Sequence, residues 1–145
     1  KMPTKDIWGV LMRRDSALAQ KETIAPEDLW DKPLIISHQR NQRKELSAWM
    51  KRDISKLNVV ATYNLLFNAS LLVDEGLGYA IGFDKIINIT ENSSLCFRPL
   101  QPNIEIEMSL VWKKYQIFTK AAEQFIKKIE EMKAASPTDR GSAAL

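Results

Sequence analysis

The chain contains a single histidine and a single cysteine, and these two scarcities exclude several kinds of chemistry. His38 and Cys96 lie far apart and do not have the spacing of a metal-ligand set. One cysteine forms no internal disulfide, and its apolar surroundings, SLCFRPL, predict a buried, unreactive thiol in a reducing compartment. A nucleophile and base would have to be Ser37 and His38, which are adjacent and would point to opposite faces of a strand. We therefore expect no enzymatic activity, no metal and no cofactor.

Long apolar runs and a strong charge excess are also missing. No segment reaches the roughly 18 apolar residues that a membrane span needs, and KMPTKDIWGV lacks the apolar block of a signal peptide. The net charge of +3, from 21 basic and 18 acidic residues, is too small and scattered for a nucleic-acid surface. A chain of 145 residues with 45% hydrophobic composition can bury a core. These features predict one compact domain in the cytoplasm, with no membrane contact.

Glycine is scarce, and the stretch LLVDEGLGYAIGF (71–83) is where a phosphate-binding glycine loop would have to lie. Such a loop leaves a strand and opens a helix. Here LLFNASLLVDE, before the glycines, predicts a largely buried helix, and YAIGF, after them, predicts a strand. The order is reversed and the third glycine of the motif is missing. We interpret Gly76 as the left-handed stop of the helix and Gly78 as a residue that allows a close turn.

The other segments alternate between strand-like and helix-like patterns. Apolar or β-branched runs predict strands at IWGVLM (7–12), PLIIS (33–37), NVVATY (58–63), LCFRPLQP (95–102) and IEIEMSLVW (104–112), the last entering a core. Helices are predicted at PEDLW (26–30), at NQRKELSAWMKRDISKL with Asn41 as its cap, and at FTKAAEQFIKKIEEMK with Thr119 as its cap. This alternation predicts an α/β fold with a mainly parallel mixed sheet flanked by helices.

Several of these segments resemble parts of LysR-type transcriptional regulators. WGVLMRRDSALAQKETIAPEDLWDKPLIIS is similar to a strand, a D-x-P-L-A-like turn, an acidic helix start and a P-L-I strand of that family, with Ala17 where the family usually has proline. LVDEGLGYAI resembles the family's L-V-x-x-G-x-G-hydrophobic signature. WKKYQIFTKAAEQFIKKI resembles its closing strand and C-terminal helix. The matches follow the family's order over about residues 7–132.

The resemblance implies a lobe like those of periplasmic binding proteins of type 2. Residues 1–133 would form part of an effector-binding domain, with the second lobe, the crossover strands and the C-terminal helix, and residues 134–145 a flexible tail. A small effector, often an anionic metabolite or aromatic acid, would lie in the cleft between lobes. The full-length protein would be a homo-oligomer that contacts DNA only through a helix-turn-helix domain absent from this chain. A periplasmic-type solute-binding domain and an oligomerisation module are the alternatives.

Polar residues follow two of the predicted strands, in SHQRN (37–41) and in TYNL (62–65). In open α/β sheets, ligands gather at the carboxyl ends of strands, and each segment leads into a helix whose free N–H groups attract anions. We therefore expect the effector to be bound by Ser37, Gln39, Thr62, Tyr63 and Asn64. The alternative is that Ser37 and Asn64 are caps or turn formers and that Tyr63 is a packing residue.

Overall fold

The computed structural model describes residues 1–135, except for the side chains of residues 40–43. Its strands are β1 (Lys5–Arg13), β2 (Leu34–Ser37), β3 (Val59–Tyr63), β4 (Tyr79–Phe83), β5 (Leu95–Pro99) and β6 (Glu105–Glu107). Its α-helices are α1 (Arg40–Met50), α2 (Leu66–Asp74) and α3 (Lys120–Ala135), and short 3-10 helices span Ala17–Gln20, Pro26–Leu29 and Ile54–Lys56. Among the described residues, 6–106 form one compact unit, while 1–5 and 107–135 form another.

The strands form one mixed sheet in the order β3-β2-β4-β1-β5, with β6 also paired to β1. Strand β2 runs parallel to β3 and β4, whereas β1 runs antiparallel to β4 and β5. The prediction of a mixed sheet flanked by helices is confirmed, but parallel pairs do not dominate among these four pairings. The reason is the position of β1, which lies between β4 and β5 and runs against both.

Two apolar layers cover the faces of the sheet. On one face, strand residues such as Val10, Met12 and Ile36 pack with α1 and the 3-10 helices. On the other face, Leu11 and Ile35 pack with α2. This alternation follows from the period of two along a strand. All four residues of β2 are buried, as expected for an interior strand covered on both faces.

Helix α2 is buried on one face only, so the prediction of a largely buried helix is wrong. Leu66, Ala69 and Val73 are buried against the sheet. Phe67 and Leu71, in contrast, are 62% and 57% exposed. The apolar pattern runs around the whole helix, but β3 and β4 cover only one side of it, and no other described element of residues 6–106 covers the rest.

The glycines after α2 behave as predicted. Gly76 has φ +80°, and its N–H donates to the carbonyl of Val73 at 2.9 Å. A Cβ at Gly78 would run into the backbone carbonyl of Pro33, to which the N–H of Tyr79 donates at 2.9 Å. Gly76 therefore ends the helix in the left-handed region, and Gly78 lets β4 approach the start of β2.

Helix α1 begins and ends earlier than its sequence pattern suggested. It starts at Arg40 after Gln39 as N-cap residue, so the expectation that Asn41 would cap it is wrong. The helix begins two residues earlier than predicted, after a turn in which the N–H of Gln39 donates to Ser37 Oγ. The helix ends where Lys51 adopts φ +53°, and the predicted continuation to residue 57 is interrupted there. Within the segment predicted to continue α1, residues Ile54–Lys56 form a separate 3-10 helix.

The C-terminal part of the chain confirms one prediction and contradicts another. Thr119 Oγ1 accepts a hydrogen bond from the N–H of Ala122 at 3.3 Å, as a cap of α3 should. The predicted strand 104–112 is reduced to Glu105–Glu107, and Val111 is 85% exposed. A strand needs a neighbour for its N–H and C=O groups, and no described strand pairs with residues 108–112. The predicted tail begins within α3, and its residues 136–145 lie outside the described residues.

Within residues 1–135, no helix has both the length and the apolar composition needed to span a membrane.

Candidate functional site

The two predicted ligand segments lie side by side in the structure. Because β2 and β3 are parallel neighbours, their carboxyl ends meet, with Ile36 opposite Thr62 and Ser37 opposite Tyr63. Strand β4 is parallel to β2 and ends at the same side with Phe83. We call the surface formed by residues 37–39 and 62–66 the carboxyl edge. The pairing of β2 with β3 thus brings the two segments to one edge of the sheet.

His38 joins the two segments of the carboxyl edge through hydrogen bonds. Its backbone N–H donates to the carbonyl oxygen of Tyr63 at 3.0 Å, and its ring Nδ1 lies 3.0 Å from the same oxygen. The tautomer with the proton on Nδ1 therefore donates a second hydrogen bond to Tyr63. His38 was not among the predicted ligand residues. The sequence signal for this role was the position of His38 directly after β2, next to the end of the parallel strand β3.

Ser37 and Tyr63 are engaged in hydrogen bonds within the protein. Ser37 is buried, and its Oγ accepts from the N–H of Gln39 at 3.2 Å. The Tyr63 hydroxyl donates to the carbonyl of Ile81 at 2.7 Å, and burial raises the pKa of this phenol to about 12. The pairing of β2 with β4 extends only to Ile35, so the Tyr63 side chain bridges from β3 to β4 beyond that point. Both residues thus have the turn-forming and packing roles of the alternative interpretation.

Gln39, Thr62 and Asn64 have exposed side chains that make no hydrogen bond to any described residue. Thr62 points to the α1 side of the sheet, where it lines a cavity together with Ile36. Tyr63 lies on the opposite side with the residues that pack against α2. The five predicted residues therefore share one edge but not one face, because adjacent residues on a strand alternate.

Both α-helices that leave the carboxyl edge begin without a side-chain cap. Neither Gln39 before α1 nor Leu65 before α2 provides a capping hydrogen bond, and neither helix has an acidic residue in its first turn. The first N–H groups of an α-helix have no partner within the helix, and the helix dipole makes this end positive. The arrangement therefore offers two adjacent sets of N–H donors to a negatively charged or carbonyl oxygen.

A cavity opens on each side of the sheet near this edge. The α1-side cavity has a volume of about 560 Å³, and its mixed lining includes Ile36, Lys44, Ser47, Asp53, Ser55 and Thr62. Asp53 Oδ1 accepts from both the N–H and the hydroxyl of Ser55 at 2.8 Å, and these hydrogen bonds lower the pKa of its carboxyl. The Asp53 carboxylate thus caps the 3-10 helix that follows it.

The α2-side cavity has a volume of about 460 Å³, and seven of its nine lining residues are apolar, while Lys85, Asn88 and backbone groups add polar surface. Leu11, Leu66 and Phe97 contribute from the sheet and the start of α2, and residues 85–89 contribute from the segment after β4. Sequence reasoning missed this cavity. The available signal was glycine within two strands, at Gly9 and Gly82, because an isolated strand glycine often marks a close approach of other groups.

Within the described part of the chain, no group of three or more His, Cys, Asp or Glu side chains is placed to hold a metal ion.

Comparison with protein-family models matches residues 5–134 to the LysR substrate binding domain. No curated protein matches the chain significantly. Among solved structures, HinK, a LysR family transcriptional regulator from Pseudomonas aeruginosa, is similar with a TM-score of 0.67 and 16% identity, over 89% of this chain and 46% of HinK. The CcmR regulatory domain of Synechocystis PCC6803, in complex with 2-PG, gives a TM-score of 0.66 and 15% identity, over 96% and 67% of the two chains.

The C-terminal domain of a probable LysR family regulator from Rhodococcus sp. RHA1 gives a TM-score of 0.63 and 14% identity, over 90% of this chain and 66% of that one. The chain thus spans about half to two thirds of the length of these structures. At such identities the likeness concerns the fold, and the family match rests on residues 5–134.

Proposed function

Because the chain belongs to the family of LysR substrate-binding domains, we propose that it recognises a small-molecule effector at its carboxyl edge and serves as the sensing part of a transcriptional regulator. One observation supports this location. Helices α1 and α2 both begin without a side-chain cap, and the hydrogen bonds from His38 to Tyr63 hold their starts side by side. Around them, Gln39, Thr62 and Asn64 keep polar groups that no described residue uses. The CcmR domain of similar fold was solved in complex with 2-PG, which supports a small ligand.

The effector is proposed to present an anionic or carbonyl oxygen to this edge. The free N–H groups and the positive dipole ends of α1 and α2 favour such an oxygen, and neither helix has an acidic residue in its first turn to repel it. Asn64, two residues before α2, and Gln39, at the start of α1, would orient the ligand with their amides. Ser37 and Tyr63 would support the edge from within, since their hydroxyls already bond to protein groups.

Sensing rather than catalysis is the proposed role, and the cytoplasm is the proposed location. His38 uses Nδ1 in its bond to Tyr63, and Ser37 Oγ accepts from Gln39, so neither is placed as base and nucleophile of a pair. The free Cys96 is buried in the apolar layer of the α1 side, as expected for an inert thiol. A regulator of transcription acts where DNA is, which supports the cytoplasm.

The whole protein is further proposed to form a homo-oligomer, and the exposed face of α2 supports this. Leu65, Phe67, Leu71 and Leu72 are all exposed there. An apolar surface of this kind on a folded domain usually marks a contact with another protein surface. This feature also keeps the oligomerisation-module interpretation as a second candidate function.

Substitution of Asn64 tests the proposed site. A metabolite library is first screened by thermal shift on the 145-residue chain, and each hit is then titrated into wild type and Asn64→Ala by calorimetry. Loss of one hydrogen bond to a charged group costs about 1.5–3 kcal/mol, or roughly ten- to a hundredfold in affinity. We expect a loss of this size without a loss of melting temperature, because Asn64 lies outside α2 and bonds to no described residue.

Asn92→Ala is the matched control, since Asn92 is also exposed but lies in the connection between β4 and β5. It should bind every hit like the wild type. Wild-type affinity of Asn64→Ala and of Gln39→Ala for all hits would refute the assignment of the carboxyl edge. A lowered melting temperature with unchanged affinity would show that Asn64 has a structural role only.

A further inference from the structure

The α2-side cavity adjoins the carboxyl edge but differs from it in chemistry. Its walls are formed by Leu66 at the start of α2, by Phe97 of β5, and by isoleucines of the segment after β4, of which Ile87 and Ile89 are half-buried. Its volume of about 460 Å³ lies within the range of about 300–1,000 Å³ that is usual for small-molecule pockets. A lining made mainly of apolar residues with a small number of polar groups, here Lys85 and Asn88, is also usual for such pockets.

Two glycines on neighbouring strands form the part of the sheet against which Leu66 and Phe97 pack. Gly9 of β1 is the register partner of Gly82 of β4. A Cβ at Gly82 would lie 2.9 Å from both terminal methyl groups of Leu66, and a Cβ at Gly9 would overlap the ring of Phe97. Leu66 and Phe97 can therefore lie directly on the backbone. The shape of the cavity depends on the absence of side chains at both positions.

Lys85 is the charged residue that lines the cavity, and its surroundings do not favour an anion. The ammonium group of Lys85 lies 2.9 Å from a carboxylate oxygen of Asp84 and 3.9 Å from one of Asp6. Asp84 is held in place because its Oδ1 accepts from the N–H of Ile7 at 2.9 Å. The positive charge of Lys85 is thus compensated by two carboxylates. An anion would gain little attraction here and would lose part of its hydration against the isoleucine, leucine and phenylalanine side chains.

We propose that the α2-side cavity is a second binding site, which takes an uncharged, mainly apolar molecule of the size of a substituted aromatic ring. An apolar cavity of about 150 Å³ is enough for benzene, so 460 Å³ leaves room for substituents. Asn88 lines the cavity, and its side chain makes no hydrogen bond to any described residue, so its amide is the polar contact for the ligand. This site shares Leu66 with the carboxyl edge but uses none of its polar side chains, and it does not depend on the function proposed there.

Trp8 reports occupancy of the cavity. Phe83 lines the cavity, and its ring centroid lies 4.7 Å from that of Trp8 in an edge-to-face arrangement. The indole N–H of Trp8 is buried without a hydrogen-bond partner among the described residues. A shift of this N–H signal in a ¹H–¹⁵N spectrum therefore follows changes around Phe83. Amide signals of Leu11 and Gly82 supply independent reporters.

The test titrates the 145-residue chain with benzyl alcohol, and with benzoate as a probe of the same ring size that carries a negative charge. We expect benzyl alcohol to shift the Trp8, Leu11 and Gly82 signals saturably, and benzoate to bind at these reporters at least tenfold more weakly. Absence of a saturable shift with benzyl alcohol would overturn the proposal. Equal or tighter binding of benzoate at the same signals would overturn the preference for an uncharged ligand.

Two substitutions that fill the cavity locate the site. Ile89→Phe adds a ring to a half-buried lining position, and Ile86→Phe does so at a position that is 50% exposed and tolerates a larger side chain more easily. At least one folded variant should lose tenfold or more in affinity for benzyl alcohol. Thr62→Val on the α1 side and Asn64→Ala at the carboxyl edge should keep wild-type affinity, which separates this site from the other. Unchanged affinity in both phenylalanine variants would refute the location.

Discussion

Removal of the Tyr63 hydroxyl should destabilise the fold, although the side chain lies at the candidate site. In Tyr63→Phe, the carbonyl of Ile81 loses the donor that lies 2.7 Å away, and Ile81 itself is fully buried. A buried polar group left without its partner costs about 1–3 kcal/mol. For a chain of this size each kcal/mol lowers the melting temperature by about 2–4 °C. Urea denaturation followed by fluorescence and circular dichroism should show a lower midpoint with an unchanged slope.

Tyr79→Phe is the control for this experiment. Tyr79 lies on β4, is half-buried, and its hydroxyl makes no hydrogen bond to any described residue. Its loss should change the free energy of unfolding by less than about 0.5 kcal/mol. If Tyr63→Phe is as stable as Tyr79→Phe, the hydroxyl of Tyr63 has no structural role. Its assignment as a support of the edge would then be wrong.

Alkaline pH provides a second measurement on the same hydroxyl. Burial raises the pKa of Tyr63 to about 12 in the folded chain, above the value of about 10 for an unfolded tyrosine. The folded state therefore binds the phenolic proton more tightly than the unfolded state does. The contribution of this proton to the free energy of unfolding is complete below about pH 10 and is lost as the pH rises from about 10 to 12. Tyr63→Phe should lack this part of the alkaline loss. Parallel stability curves for wild type and variant over this range would contradict the assignment.

Two further predictions concern other parts of the chain. Gly76→Ala should cost about 1 kcal/mol, because φ is +80° but no atom lies within 4 Å of the new Cβ, whereas Gly78→Ala should cost more, because its Cβ meets the backbone of Pro33. Equal losses in urea denaturation would contradict this reasoning. The double variant Phe67→Ser, Leu71→Ser should shift the protein toward a monomer in analytical ultracentrifugation, while Leu77→Ser, exposed but outside α2, should not. Unchanged sedimentation of the double variant would exclude this face as a contact.

The local features that the sequence specified well are those decided within a few residues. Gly76 followed an apolar helix and was therefore predictable as a left-handed stop, which φ confirms. The mainly apolar PLIIS was predictable as a buried strand, and β2 is buried throughout. Thr119 was predictable as a cap because it precedes a clear amphipathic pattern. In each case backbone geometry or burial follows from neighbours in sequence.

The features that the sequence left open depend on partners distant in the chain. The apolar run after Glu107 has the composition of a core strand, but composition does not reveal whether another strand lies within hydrogen-bonding distance. Thr62 and Tyr63 were assigned to one ligand set, although the alternation that separates Ser37 from His38 applies to them as well. The engagement of Tyr63 with Ile81 could not be foreseen, since it depends on where β2 stops pairing with β4.

The position of β3 has a consequence for the chain before it folds. Within the sheet formed by the described residues, β3 is at the outer end, and its Val60 is 41% exposed. No charged residue occurs between Lys56 and Asp74, so this edge strand and the helix after it form one long uncharged, apolar segment. Such segments at open sheet edges pair readily with copies of themselves when they are unprotected. Newly synthesised chains should therefore be prone to aggregation here, and a lysine at Val60 would interrupt the segment on its solvent side.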